Sequence, residues 1–376
     1  MLSFFTRITL LSTILATSLA SGEDRAPQRD SFPAGDFDQE GFAIATPGVE
    51  LRFPRDHGSH PSFKTEWWYL TGHLKSVDDA IDLGFQLTFF RSAEEANGKQ
   101  LYMAHAAVFD KQSDQFYHEE RLNSDHWNAH ASVGELDVFN GNWHLRMVDA
   151  DTERMSARFS LAQFGALSLA FVPLKPLTLF GQEGYSRKGD QVGDASYYAT
   201  FTRLGVTAEA TIDGRSHALS GLAWMDHEFS SSQLSPGQIG WDWTSLILDD
   251  GSELMAYVMR REDGQTDPRS TLTLIDPDGA TTRFDSESFR WEPLRYWESP
   301  DSGARYPVEY KVSWDSGDRS GSVVVKPFGD RQELIGALAD FTYWEGASQA
   351  FDSEGNTIGI GYTELTGYAH SLFGSF

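Results

Sequence analysis

Short segments rich in aromatic and β-branched residues recur along the chain from about Phe42 onward, and turn-forming residues separate them. Leu83–Arg91 and Tyr197–Arg203 are typical segments, and each has the length of a single β-strand. Asp213-Gly214 and Asp249-Asp250-Gly251 are typical connections, because Asp and Gly favour the backbone conformations of tight hairpin turns. A strand roughly every 8–15 residues, joined by hairpin turns, predicts an all-β fold built as an antiparallel barrel or sandwich.

Two parts of the chain carry similar patterns, which suggests an internal duplication. Glu66–Arg91 holds paired tryptophans, an apolar segment, an acidic turn and a second segment that ends in arginine, and Trp241–Arg260 holds these features in the same order. A duplication predicts two similar β-barrels in tandem, at residues 46–212 and 213–376, although strand-rich sequences also resemble one another by chance. Arg331–Thr342 and Ala93–Asn97 are the candidates for short helices.

The first 20 residues have the pattern of a secretory signal peptide. Arg7 is their single charge, an apolar stretch runs from Ile8 to Leu19, and Ser18 and Ala20 supply the small side chains of a cleavage site. We therefore expect an exported protein, periplasmic or extracellular, with a flexible leader at residues 21–45 and no stable membrane insertion after cleavage. An uncleaved membrane anchor is the alternative, although the apolar stretch is short for one.

The composition excludes several kinds of partner. The chain has 55 acidic and 30 basic residues and a formal net charge of −25, so it lacks the basic surface that binds nucleic acid. It has no cysteine, which excludes disulfide bonds, thiolate metal sites and a cysteine nucleophile. The sequence contains no glycine-rich phosphate loop, G-x-S-x-G elbow or H-E-x-x-H motif, so it predicts neither a cofactor nor a metal.

Three ionisable residues in a row, Asp226, His227 and Glu228, interrupt an otherwise apolar segment. On a β-strand, Asp226 and Glu228 share one face with Trp224, and His227 lies on the other face. A carboxyl group in such apolar surroundings has a raised pKa, which suits it to act as a general acid. The alternative is a structural network of ion pairs, in which one of the arginines that end the two repeats, Arg91 or Arg260, is the cation.

Aromatic residues form a second candidate site, a ligand cavity with aromatic walls inside a barrel. Consecutive aromatic residues cannot all point inward on one strand, so Trp67 and Tyr69 should share one face and Trp68 the other. The second half repeats the feature, and a glutamate lies in an aromatic strand close to the C-terminus. The alternative is that these rings simply fill the barrel interiors. The predicted ligand-binding residues are Trp67, Trp68, Tyr69, Trp224, Trp241, Trp243 and Glu364.

Four sequence blocks resemble those of a known family. EWWYLTGHL, GLAWMDHEF, GWDWTSLILDDGSELMAYVMRREDG and GYTELTGY occur in this order between about Val49 and Tyr368. They are similar to the signature blocks of the lipocalin-like family that contains AttH and carotenoid 1,2-hydratase (CrtC) proteins. The resemblance implies two tandem lipocalin-like barrels of the calycin type. It also implies an exported protein, because family members are described as predicted secreted hydrolases or as partners of ABC transporter permeases.

The hydratase branch of this family adds water to an isolated carbon–carbon double bond of an acyclic carotenoid without a cofactor, and fungal relatives include isomerases and pericyclases. In this branch a carboxylate and an indole occupy the positions that correspond to Met259 and Phe229 here. The residues to which the resemblance assigns catalytic roles are Asp226, His227, Glu228 and Tyr257.

Two functions are therefore predicted. The first is an exported protein that binds a hydrophobic isoprenoid or lipid and works with an ABC transporter permease. The second is a cofactor-independent hydratase, isomerase or hydrolase, in which Asp226 or Glu228 is the general acid and His227 orients or activates water. Trp241 and Trp243 would stabilise positive charge that develops on the substrate. A purely structural module, with packed barrels and no cavity, is the third alternative.

Overall fold

The computed structural model describes residue 32 and residues 35–96, 98–125, 127–191, 193–338 and 341–372. The predicted signal peptide at residues 1–20 and most of the predicted leader lie outside these residues. Apart from one 3-10 turn at Arg55–His57, the regular secondary structure of the described residues consists of β-strands, which confirms the predicted all-β class. No helix in this part of the chain is long and apolar enough to cross a membrane.

The strands divide into a small pair and two large antiparallel sheets. The strands of the first half are β1 (Asp36–Phe37), β2 (Ala43–Ile44), β3 (Thr65–Lys75), β4 (Asp82–Ala93), β5 (Gln100–Asp110), β6 (Gln115–Ser124), β7 (Ala129–Ala131), β8 (Asp137–Asn140), β9 (Trp143–Asp149), β10 (Arg154–Leu161), β11 (Gly165–Pro173), β12 (Thr178–Leu179), β13 (Tyr185–Arg187), β14 (Ala195–Ile212) and β15 (Arg215–Ser230). The strands of the second half are β16 (Gln238–Leu248), β17 (Glu253–Arg261), β18 (Thr271–Ile275), β19 (Thr281–Asp285), β20 (Phe289–Glu298), β21 (Arg305–Asp315), β22 (Ser320–Pro327), β23 (Glu333–Leu334), β24 (Tyr343–Phe351) and β25 (Thr357–Leu365).

Each large sheet curls until its first long strand pairs with its last. In the 13-stranded sheet of β3–β15, strand β3 pairs with both β4 and β15, and in the 10-stranded sheet, β16 pairs with both β17 and β25. The result is two nearly closed barrels in tandem, as predicted from the lipocalin-like resemblance. Each barrel also contains an ion pair between its first two long strands. Arg91 Nε lies 2.9 Å from Glu66 in the first barrel, and Arg260 Nε lies 3.0 Å from Asp242 in the second.

The division between the barrels comes later in the chain than predicted. Strand β15 belongs to the first barrel, so the boundary lies between Ser230 and Gln238 and not at residues 212/213. The reason is that Asp213 and Gly214, with φ of 49° and 72°, form a two-residue hairpin turn that joins β14 to β15 within one sheet. The sequence predicted the turn at Asp213-Gly214 correctly, but a turn within a barrel has the same residue pattern as a turn between two barrels.

The two short helices that the sequence suggested are absent from the described residues. Ala93 ends strand β4 and is followed by a bend, and the described part of residues 331–342 contains the two-residue strand β23. This strand pairs with β24, so sheet hydrogen bonding outweighs the weak helical periodicity of the segment.

Both barrel interiors are packed with apolar side chains. Trp68, Phe85 and Trp143 belong to the core of the first barrel, and Leu246 and Val312 belong to the core of the second. A further apolar cluster lies between the barrels and is formed by the outer faces of the strands that touch. Its first-barrel members include Tyr69 and Trp224, and its second-barrel members include Trp243, Met255 and Tyr343. One of the cavities of the described residues lies in this junction.

Candidate functional site

A cavity lies in the junction between the two barrels. It contains about 670 Å³ of space that is free of protein atoms, part of it open to solvent. This location differs from the predicted one inside a barrel, because the barrel interiors are already filled by their own side chains. The predicted site residues that line the cavity are Trp67, Tyr69, Asp226, Glu228, Trp241, Trp243, Tyr257 and Glu364.

The alternation predicted for the two central strands is confirmed. Asp226 and Glu228 on β15 face the cavity, whereas His227 faces the first barrel and stacks on Trp68, with ring centroids 4.9 Å apart. The cavity roles predicted for His227 and Trp68 therefore do not fit, because a one-residue offset on a strand turns a side chain to the opposite face. Trp224 does not line the cavity either, but its Nε1–H donates a hydrogen bond to Asp226 Oδ1 over 2.7 Å.

Asp226 is buried at the cavity wall and accepts hydrogen bonds from three side chains. The Tyr198 hydroxyl donates to Oδ2 over 2.7 Å, and the Thr200 hydroxyl donates to Oδ1 over 2.6 Å, beside the Trp224 indole. Burial deprives the carboxylate of water and raises the pKa of Asp226 to about 7, although the three hydrogen bonds act in the opposite direction. The carboxyl and carboxylate forms are therefore both populated near neutral pH.

Glu228 is engaged in an ion pair that the sequence did not predict. Lys188 Nζ lies 2.9 Å from Glu228 Oε1, and the Ser196 hydroxyl donates to the same oxygen. Burial alone would lower the pKa of Lys188, but Glu228, Tyr257 and Asp226 together raise that pKa above its ordinary value. The cation that pairs with Glu228 is thus neither Arg91 nor Arg260.

Lys188 also organises the aromatic wall. Its ammonium lies 4.4 Å from the ring centroid of Tyr257 and 4.8 Å from that of Tyr198, a cation–π geometry. The Tyr198 hydroxyl in turn accepts a hydrogen bond from Trp243 Nε1 over 3.2 Å. The Lys188 ammonium therefore covers one face of each of these two tyrosine rings, whereas Trp243 is held at its indole nitrogen.

Glu364 is the carboxyl group that the second barrel contributes to the cavity. Strand β25 places it beside Trp243 of β16, and its Oε2 accepts a hydrogen bond from Trp241 Nε1 over 3.2 Å. Burial raises the pKa of Glu364 to about 8, and the carboxylates of Asp226 and Glu228 act in the same direction. The cavity thus has one carboxyl group of near-neutral pKa on each of its two walls.

A buried charge network lies behind the first-barrel wall. His60 Nδ1 and His227 Nε2 are 2.8 and 2.9 Å from Glu66 Oε1, and Arg91 Nε is 2.9 Å from Glu66 Oε2. The three ligand atoms of His60, Glu66 and His227 lie within 4.8 Å of one another, a spacing that is compatible with metal binding. The Arg91 guanidinium already neutralises Glu66, however, so the network matches the structural set of ion pairs that the sequence analysis gave as the alternative. Burial lowers the pKa of His227 below its ordinary value.

Several site residues escaped sequence analysis, for two different reasons. Tyr198 and Thr200 lie on β14 directly opposite Glu228 and Asp226, so pairing the Tyr197–Arg203 strand with the Asp-His-Glu strand would have found them. Lys188 lies in a loop after β13, and Phe90 points into the junction from β4. Neither has a local signal, because each reaches the cavity only through contacts with segments that are distant in sequence.

A family comparison covers nearly all of the described chain. A sequence model of the AttH-like family matches residues 44–368. The crystal structure of a protein assigned as AttH from Nitrosomonas europaea is 36% identical in sequence, with a TM-score of 0.79, and the match covers 87% of this chain and 100% of that one. No curated protein sequence matches the chain significantly.

Two more distant structures share the fold. Kievitone hydratase from Nectria haematococca is 14% identical, with a TM-score of 0.65, and the match covers 92% of this chain and 99% of that one. CghA is also 14% identical, with a TM-score of 0.52 and coverage of 89% and 97%. At this identity the likeness concerns the two-barrel architecture alone. The family match and the relative from Nitrosomonas europaea together establish that this chain belongs to the AttH-like family.

Proposed function

We propose that this protein is a cofactor-independent enzyme that adds water to, or isomerises, an apolar molecule with a carbon–carbon double bond. The observation that carries the proposal is the position of Asp226, a carboxyl group with a pKa of about 7 on the wall of an aromatic cavity. A general acid or base works best when its pKa is close to the working pH. Aromatic and apolar walls suit a substrate that offers few groups for hydrogen bonding.

The reaction needs proton transfer and no oxidation or reduction. A carboxyl group delivers a proton to one carbon of the double bond, and the neighbouring carbon becomes a carbocation. In hydration, the oxygen of a water molecule bonds to this carbon and then releases its surplus proton to a carboxylate. In isomerisation, the carbocation loses a different proton and the double bond moves. Either way, the side chains need only give and take one proton, which Asp226 is able to do near neutral pH.

The aromatic wall supports the same chemistry. Trp241, Trp243 and Tyr257 border the cavity together with the two carboxyl groups. The negatively polarised faces of indole and phenol rings stabilise a cation, and they do so more strongly where water is excluded. The fold shared with kievitone hydratase adds support for a hydration reaction on this architecture.

The test is turnover of unsaturated isoprenoids by wild-type protein and by Asp226→Asn. Geraniol and squalene are incubated in ¹⁸O-labelled water, and mass spectrometry detects either the gain of one labelled water or a shifted retention at unchanged mass. For a substrate that wild type converts, Asp226→Asn should lose about 10²-fold or more of the rate, the usual contribution of a general acid or base. Asp82→Asn changes a buried carboxyl outside the cavity and should leave the rate unchanged. Wild-type rates in Asp226→Asn would refute the proposal.

A second candidate function is that of an exported carrier, which binds a hydrophobic isoprenoid or lipid and passes it to an ABC transporter permease. The aromatic cavity supports the binding step, and the signal-peptide pattern of residues 1–20 supports export. Binding is measured with the fluorescent polyene cis-parinaric acid. Trp243→Ala should weaken it about tenfold by removing a buried ring from the wall, whereas Trp127→Ala removes a ring that is 73% exposed and should not. Tight binding without turnover of any tested alkene would favour the carrier.

A further inference from the structure

A second carboxyl group stands directly beside Glu364 in the junction between the barrels. Strands β24 and β25 are antiparallel, and their register places Glu345 opposite Glu364. Side chains directly opposite each other on one sheet face have Cβ atoms about 5 Å apart. The Tyr69 hydroxyl, which borders the cavity, donates a hydrogen bond to Glu345 Oε1. Glu345 therefore lies immediately behind the cavity wall, between Tyr69 and Glu364.

Glu345 is completely buried, and one of its oxygens has no hydrogen-bond partner among the described residues. An ionised carboxylate in such a place would be very costly, and a carboxylate at Glu364 would add like-charge repulsion. Burial, with a contribution from Glu364, raises the pKa of Glu345 well above its ordinary value. Its surroundings therefore favour the protonated form of Glu345 over the carboxylate. The titratable groups that face this pair are Tyr69 of β3, Tyr343 of β24, Tyr362 of β25, and Asp226 and Glu228 of β15.

The two walls of the cavity hold their carboxyl groups in opposite ways. Asp226 accepts three hydrogen bonds from neighbouring donors, an arrangement that fits a carboxylate. Glu364 accepts one, from Trp241, and stands opposite another acid. When two carboxyl groups share a substrate in unlike surroundings, the one that accepts more hydrogen bonds holds the negative charge more easily and is the base, and the other is the acid.

We propose that Glu364 is the proton donor of the cavity and that Glu345 stabilises the carboxylate which Glu364 becomes, while Asp226 on the opposite wall takes up a proton. The proposal rests on the function proposed above. Glu364 gives its proton to an alkene carbon, and the acidic hydrogen of Glu345 then forms a hydrogen bond to the Glu364 carboxylate. In hydration, Asp226 accepts the surplus proton of the added water. Exchange with solvent returns a proton to Glu364 and removes one from Asp226, so the cycle balances.

In this scheme Glu364 is a catalytic residue and Glu345 is a positioning residue. Glu345 does not line the cavity, and its contribution is to make Glu364 easier to ionise than a lone buried acid would be. Donor and acceptor come from different barrels, so the reaction needs both halves of the chain.

The experiment is an infrared titration of the protonated carboxyl bands in the purified full-length protein. Glu364→Gln identifies the Glu364 band by its loss. In Glu345→Leu, Glu364 loses a hydrogen-bond donor, and its deprotonation midpoint should rise by about one pH unit. Glu345→Gln keeps a donor of similar shape and should restore a midpoint close to that of wild type. Glu333→Gln is the matched control, because Glu333 is a buried carboxyl outside the cavity that accepts a hydrogen bond from the Tyr306 hydroxyl. It should leave the deprotonation midpoint of Glu364 unchanged.

An unchanged Glu364 midpoint in Glu345→Leu would overturn the proposal. If that variant does not fold, Glu364→Gln provides a second measurement, because removing one acid should lower the deprotonation midpoint of Glu345. An unchanged deprotonation midpoint of Glu345 in Glu364→Gln would likewise overturn the proposal.

Kinetics separate this proposal from the proposed function on which it rests. The basic limb of the pH–rate profile should move upward in Glu345→Leu and return in Glu345→Gln, which a merely structural role would not produce. If Asp226→Asn abolishes turnover and Glu345→Leu leaves the pH–rate profile unchanged, the roles proposed for Glu345 and Glu364 are wrong and the enzyme assignment stands. If Asp226→Asn is fully active, the enzyme assignment fails, and the infrared midpoints still decide whether Glu345 and Glu364 interact.

Discussion

Asp226→Asn should make the protein more stable relative to wild type as the pH rises. The unfolded chain has an Asp226 with an ordinary pKa of 3.8, whereas burial raises the pKa in the folded protein to about 7. Between these two values the folded state binds more protons than the unfolded state, so the free energy of unfolding of wild type falls as the pH rises through this window. Below it both states are protonated and no penalty exists, and above about pH 7 the penalty is complete.

The magnitude follows from the two pKa values. The difference between 3.8 and about 7, at about 1.4 kcal/mol per pH unit, corresponds to about 4 kcal/mol over the whole window. Asparagine has the same shape and does not titrate. Any fixed cost of the substitution, such as a rearranged bond to Tyr198 or Thr200, is independent of pH and cancels when the same pair of proteins is compared at two pH values.

The assay is urea unfolding followed by tryptophan fluorescence, with wild type and Asp226→Asn measured in parallel at pH 5, 6, 7 and 8. The free-energy difference between the two proteins should grow in favour of the variant by about 3 kcal/mol across this range, since most of the window lies within it. Parallel pH dependences for Asp226→Asn and wild type would refute the reasoning and would mean that Asp226 is ionised throughout.

Two further predictions concern the contact between the barrels. Glu253 of the second barrel is fully buried and pairs with Lys175 Nζ at 2.7 Å and Arg203 Nε at 2.5 Å, both from the first half, so Glu253→Gln should lower the free energy of unfolding by about 3–5 kcal/mol in urea titrations. A cost below 1 kcal/mol would show that this pairing does not hold the barrels together. A Cβ on Gly84 would lie 2.1 Å from the Cβ of Ala347 across the junction, so Gly84→Ala should cost about 1–3 kcal/mol by the same assay. Adding Ala347→Gly should recover most of that loss, and strictly additive effects of the two changes would contradict the contact.

Local patterns predicted the strands and the faces of their side chains well. The segments Leu83–Arg91 and Tyr197–Arg203 are strands in the structure, and the alternation around Asp226 is correct. Period-two alternation and Asp-Gly turns act over a few residues, so one sequence is enough to see them. The ion pairs of Arg91 and Arg260 also support the internal repeat, because each joins the first two long strands of its barrel.

The location of the site could not be predicted in the same way. The aromatic residues were expected inside a barrel, but Trp67 and Tyr69 point outward from β3 into the junction. Alternation separates two faces without saying which one is inside, and both faces of these strands are buried here. Lys188 and Glu345 were missed because each acquires its role from a residue far away in sequence, Glu228 and Glu364 respectively.

Because both barrel interiors are filled, the residues that line the cavity are separate from the hydrophobic core of either barrel. The cavity walls are the outer surfaces of two stiff cylinders, so replacing a side chain there does not disturb the hydrophobic core of either one. In this architecture the shape of the cavity can therefore change one barrel surface at a time, separately from the packing inside either barrel.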